Sequence, residues 1–173
     1  RRHAVIETRL GEVGLVAGDA CRVGLCLPYH RSRPSAGTSR IRVDVADDLL
    51  FSETRRQLDD YLGGSRTTFD LPMSTHGDAW QETVWALLRE IPYGRTTTYG
   101  DLAERLGDPT LAQAVGQAAG RNPLCVIVPC HRVVGRDGSL TGYAGGVRRK
   151  QFLLELEDRL ADAGLRGVER LRG

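Results

Sequence analysis

In the first third of the chain apolar and polar residues alternate with a period of two, the signature of half-buried β-strands. Short strands are predicted over His3–Thr8, Glu12–Val16 and Cys21–Leu27, with "GE" and "AGDA" supplying the breaks. "RPSAG" reads as loop, and "SRIRVDVA" then places Ile41, Val43 and Val45 on one strand face. A helix follows from about Asp48 to Leu62, closed by Gly63 and Gly64, and "RTTFDLP" returns as a strand. Around Pro72–Gly77 the composition turns polar and strands cease. The domain boundary is drawn there, giving an α/β unit over 1–75 and a second unit over 76–173.

The second unit reads as mainly helical. Asp78 to Ile91 carries Trp85, Leu88 and other apolar residues at helical spacing, and "PYG" ends it. Thr98 suits the cap of a helix over Tyr99–Leu106, with Asp101 as a weak capping-box partner. Gly107 stops that helix, and Asp108 with Pro109 restarts the chain as cap and first-turn proline. The next helix runs from Leu111 to Ala119 and ends at Gly120; so tight a turn between two short helices predicts a helix-turn-helix. Its sequence, "LAQAVGQAAG", is nearly all small residues. Such a helix either packs tightly on a neighbour or lets its backbone approach something closely, such as a nucleic-acid groove. A last helix is predicted over Val147–Leu160, with Phe152, Leu153, Leu156 and Leu160 as its buried face. The fold class is therefore α/β: a small N-terminal sheet-plus-helix domain, then a mainly helical domain with a helix-turn-helix.

Composition changes this picture little. The charged and apolar fractions are those of a globular protein, and 173 residues suffice for a real core. No apolar stretch approaches the length of a membrane span and no signal-peptide pattern opens the chain, which favours the cytoplasm. A net charge of +2 announces no global field for nucleic acid, so any such site is local. Four cysteines, Cys21, Cys26, Cys125 and Cys130, do not make a disulfide framework in a chain of this size. Cys21 and Cys26 with His30 suggest a metal set, but an odd offset sends the two cysteines to opposite strand faces, which favours plain packing. No metal and no cofactor is expected.

The chemistry concentrates in "VIVPCHRVVG". A cysteine in such a run can be packing, a metal ligand or a nucleophile. Pro129 cannot donate to a sheet ladder, so a strand ending there would present Cys130 at its tip. His131 and Arg132 follow, a setting that favours a thiolate. Downstream, "GSLTGYAGG" is a flexible loop with one aromatic, Tyr143, suited to a pocket wall. Adjacent Cys and His residues do not readily chelate one tetrahedral metal, and on extended chain they point apart. Proton transfer between them would need a bridging water, and the histidine an orienting partner. Of Glu155, Glu157 and Asp158, Glu157 flanks the buried face and is the candidate.

These residues resemble the O6-alkylguanine-DNA alkyltransferase family. "IPYGRTTTYGDLA", "AVG", "GRNP", "PCHRV" and "GYAGG…LLELE" occur in the family's order and near its spacing, strongly over Asp78–Glu157 and more loosely in "GEVGLVA" and "LPYH". The resemblance implies irreversible transfer of an alkyl group from O6 of a damaged guanine, with O4-methylthymine as a second substrate, to the sulfur of Cys130. It implies that His131 deprotonates Cys130 through a water, Glu157 orients His131, and Asn122 braces the turn. Tyr99 would offer a hydroxyl to the guanine ring, Tyr143 a pocket wall and Ala144 a backbone donor to O6. Carbonyls near Cys130 and Val133 would read the exocyclic amine. The partner implied is double-stranded DNA, entered through the minor groove by the small-residue helix with Gln113, Gly116 and Arg121, the damaged base being rotated out of the stack. A monomer acting once is implied.

Gln113 stands where the family usually carries an arginine that fills the gap left by the rotated base, so weaker duplex binding or slower flipping is expected. Arg121 either compensates or is solvated packing. Arg148, Arg149 and Lys150 lie at a helix start, the wrong end for the dipole; an anionic neighbour or a solvated surface run would account for them. Nothing in the sequence makes Cys125 reactive. Two other functions stay open: a non-enzymatic lesion binder that recruits repair factors, and a cysteine hydrolase that turns over repeatedly.

Overall fold

The computed structural model describes residues 1–18, 23–26, 41–140, 143 and 146–172, with the backbone alone for 23, 25, 26 and 163–172. The alternating N-terminal segments form β1 (Arg2–Thr8) and β2 (Gly11–Ala17), an antiparallel hairpin whose register pairs His3 with Val16 and Glu7 with Glu12. Gly11 takes φ +88°, which the tight reversal requires, and the Thr8 hydroxyl donates to the Gly11 carbonyl across it. β3 (Val23–Cys26) pairs antiparallel with β2, and β4 (Ile41–Arg42) lies parallel to β1, giving the order β3-β2-β1-β4. Ala4, Ile6, Val13, Leu15 and Ala17 share the buried face with Phe51, Leu58, Tyr61 and Leu62 of α1 (Leu49–Leu62). Asp48 caps α1 through its side chain.

Two expectations for this region are corrected. The strand face of Ile41, Val43 and Val45 lasts only two residues. Ile41 is 72% exposed, and the chain then enters a 3-10 turn, Val45–Asp47, capped by Asp44. Of the strand expected over Cys21–Leu27, residues 23–26 are described and form β3. "RTTFDLP" is not a strand, because the buried Gln57 amide takes both the N–H and the carbonyl of Asp70 at 2.8 Å and ties the segment to α1 instead of a ladder.

The remainder is helical. α2 (Ala79–Arg89) opens with a complete capping box between Asp78 and Gln81. The two-residue strand β5 (Thr97–Thr98) leads into α3 (Tyr99–Arg105), capped by Thr98, and a 3-10 turn, Pro109–Leu111, capped by Asp108, enters α4 (Ala112–Gly120). β5 pairs in parallel with β6 (Val133–Val134). The final helix α5 (Val147–Arg172) runs well past Leu160, where the sequence ended it. Among the described residues no helix is long and apolar enough to cross a membrane, and no cluster of three His, Cys, Asp or Glu is placed to hold a metal ion. Cys21, Leu27, His30 and Ala144 lie outside the described residues.

Candidate active site

Between α4 and β6 the chain "NPLCVIVPCHR" folds around one side chain. Asn122, wholly buried, donates from Nδ2 to the Val128 carbonyl at 2.7 Å and accepts the Leu124 N–H at Oδ1 at 2.9 Å. Its Nδ2 also lies 3.4 Å from the Cys130 sulfur. With the backbone satisfied internally, this run has no need of a ladder and does not form the strand expected before Cys130. Val126 adopts φ +74°, and the Cys130 N–H donates to the Val128 carbonyl across Pro129, an inverse γ-turn. Cys130 therefore opens a 3-10 turn, Cys130–Arg132, rather than ending a strand.

The pKa of the Cys130 thiol is held below its ordinary value. A hydrogen bond from Cys125 contributes most; burial opposes, and the Asn122 amide and the Lys150 charge assist. Lys150 is fully buried, donates to the Val133 carbonyl at 2.5 Å and lies 5.9 Å from the Tyr99 ring centre. Burial pushes its ammonium down while Cys130 pulls it up. Of the two sequence readings for the basic run, an anionic neighbour fits Lys150. Arg149 instead donates to the Leu10 carbonyl.

His131 and Glu157 meet beside the cysteine. His131 Nε2 is 2.8 Å from Glu157 Oε1, and both side chains are sealed from solvent. Arg132 does not serve the thiolate as expected. Its guanidinium grips Glu157 at two points, 2.9 and 2.8 Å, and donates to the Ile91 carbonyl. The Tyr61 hydroxyl also donates to Glu157 Oε1. Burial would raise the Glu157 carboxyl, but the hydrogen bonds from His131 and Arg132 hold it at about 2. Burial lowers His131, leaving a neutral imidazole, and its Nδ1 has no protein hydrogen-bond partner. The arrangement is a thiol biased towards its anion beside a neutral histidine with one ring nitrogen committed to a carboxylate.

A profile described as "6-O-methylguanine DNA methyltransferase, DNA binding domain" matches residues 79–159. A methylated-DNA–protein-cysteine methyltransferase of Methanosarcina acetivorans is 42% identical over 158 residues, covering 90% of this chain and 97% of that one. The chain belongs to the methylated-DNA–protein-cysteine methyltransferase family. A Mycobacterium tuberculosis member is 50% identical over 119 residues, covering 69% of this chain and 72% of its own. The crystal structure of Mycobacterium tuberculosis OGT in complex with DNA superposes with a TM-score of 0.81 at 39% identity, covering 92% of this chain and 94% of that one.

In this methyltransferase the predicted residues fall into two groups. Cys130, His131, Glu157, Asn122 and Val133 converge with the buried Tyr143, whose pKa burial drives well up. Tyr99 opens α3 beside them, and Gly116 of α4 faces its ring. Gln113 and Arg121 stand exposed at α4, away from the buried cluster. The small-residue helix serves two purposes at once: Val115, Ala118 and Ala119 pack inward, where Trp85 donates to the Ala118 carbonyl at 2.8 Å, while Gln113 and Gln117 look outward. The sequence missed Tyr61, Arg132 as a partner of Glu157, Lys150 and Cys125. Lys150 carried a signal: it precedes Glu157 by two helical turns, on the face of Leu153. Tyr61 carried only the signal of a core residue.

Proposed function

We propose that this methyltransferase repairs alkylated DNA by moving the alkyl group from O6 of guanine, and from O4 of thymine, onto Cys130. The Cys130 proton passes through a water to His131 Nδ1, while Glu157 holds Nε2–H. The thiolate attacks the alkyl carbon in line; the S–C bond forms as the C–O6 bond breaks, and the base leaves with its electron pair. A proton offered by the Tyr99 hydroxyl eases departure of the base. The thioether is stable, so each chain acts once. Asn122 keeps the sulfur aimed, Tyr143 walls the pocket, and the Val133 carbonyl, fixed by Lys150, reads the exocyclic amine. Residues 1–75 support the pocket from behind, and 76–173 carry the DNA contacts and the chemistry.

The helix-turn-helix of α3 and α4 supports binding of duplex DNA through the minor groove, with the base rotated out to reach the sulfur. Gln113 and Gly116 face the groove, with Arg121 at its edge, and Ala144 donates to O6. The observation that carries the reading is the buried Cys130 sulfur, favoured as an anion by Cys125, Asn122 and Lys150 beside the His131–Glu157 pair. Mass spectrometry after mixing with excess duplex containing O6-methylguanine tests it. One methyl on Cys130 per chain is expected. Unmodified protein with demethylated DNA would mean hydrolysis; unmodified protein bound to unchanged DNA would mean a lesion binder.

A further inference from the structure

We propose that Tyr61 is a positioning residue: by sharing one oxygen of Glu157 with His131, it governs how firmly His131 holds its proton. The inference rests on the role proposed above for His131. Tyr61 lies on α1, far from the reacting sulfur in sequence, with its ring fully buried. Phe69, tilted at 5.1 Å between ring centres, and Tyr93, edge-on at 5.9 Å, fix the plane of that ring. The hydroxyl then has one direction to take, towards Glu157 Oε1. The same oxygen accepts from His131 Nε2 and from Arg132, whereas Oε2 takes the Arg132 Nε.

Arg132 already balances the carboxylate charge, and a phenylalanine would fill the same space. The hydroxyl adds no charge; it adds a third donor to Oε1 and meets the Arg132 guanidinium beside it. An oxygen divided among three donors accepts less strongly from each, so Glu157 draws less on the imidazole. Burial and the Glu157 charge push the Tyr61 phenol upward, keeping it a donor. The other charged or titratable groups facing the pair are Arg132 in the 3-10 turn, Lys150 on α5, Tyr93 after α2, and Cys130 itself. Removing the hydroxyl leaves all of them in place. Glu157 then becomes a stronger acceptor, the imidazolium is stabilised, and Nδ1 becomes available as a base only at higher pH.

The test is single-turnover methyl transfer to Cys130 across pH in Tyr61→Phe, with nitrogen-15 NMR of the His131 ring. The acid limb and the His131 titration should both move up by about half a pH unit or more. A variant with fluorotyrosine at position 61, a stronger donor that retains the hydroxyl, should move both down, and it carries the test if Tyr61→Phe does not fold. A uniform loss of rate at every pH, or an unmoved His131 titration in a folded variant, would overturn the inference. If the parent chain accepts no methyl on Cys130, the proposed function fails first; if it does and the limb stays, this inference alone fails.

Discussion

Replacing Glu157 with glutamine removes the one anion that three buried donors share. A glutamate in the unfolded chain titrates near 4.5, and Glu157 in the folded chain at about 2. At about 1.4 kcal/mol per tenfold change in acidity, the folded carboxylate contributes about 3 kcal/mol at neutral pH. Breaking a buried pair independently costs about 3–5 kcal/mol, because the Arg132 charge is left uncompensated. Since the folded value lies below the unfolded one, this stability is complete above the unfolded value and is lost as pH falls through the folded one. Urea unfolding of the parent and Glu157→Gln should therefore differ by about 3–5 kcal/mol at neutral pH, a gap that narrows by about 1.4 kcal/mol near pH 3.5. Groups common to both chains cancel in the difference. A gap below about 1 kcal/mol, or one that does not narrow on acidification, would refute the account of Glu157 as a buried anion.

Other outcomes follow from the same geometry. Lys150→Met removes a cation that favours the Cys130 thiolate, so methyl transfer at neutral pH should fall about tenfold and recover as pH rises; a deficit independent of pH would deny Lys150 that role. Asn122→Ala leaves the Val128 carbonyl and the Leu124 N–H without their partner, and should cost about 2–4 kcal/mol in denaturant unfolding. A Cβ on Gly116 would meet the Tyr99 ring at an ordinary 3.6 Å. Gly116→Ala should therefore hold or raise thermal stability, by up to about 1 kcal/mol, while weakening duplex binding in an anisotropy titration. Equal binding would mean that the small residue serves packing alone. Gln113→Arg should tighten duplex binding and speed transfer from duplex more than from single strands; unchanged duplex affinity and rate would remove the significance given to this position.

Much of the helical half was legible because its signals are local. Asp78, Thr98 and Asp108 cap helices through atoms two or three residues away, and those bonds form wherever the rest of the chain goes. The pairing of His131 with Glu157 was legible too, since of Glu155, Glu157 and Asp158 only Glu157 adjoins the apolar face of α5. Strand assignments fared worse. An extended segment becomes a strand only if a neighbour offers a ladder, and side chains elsewhere can take its backbone groups first. Gln57 does so at Asp70, and Asn122 does so around Cys130.

The sequence by itself determined where Cys130 and His131 stand as the proposed reactive pair, the helix-turn-helix and the kinship of the chain, because each is written in contiguous residues or short-range periodicity. Only the tertiary structure decided the ionic setting of that sulfur. Glu157 receives Tyr61 from 96 residues away and Arg132 from 25, and Lys150 reaches the Val133 carbonyl from 17. Such meetings depend on how α1 and α5 pack around the turn at Cys130. A buried charge is tolerated where its partners converge, and convergence of distant segments is a property of packing rather than of any local pattern.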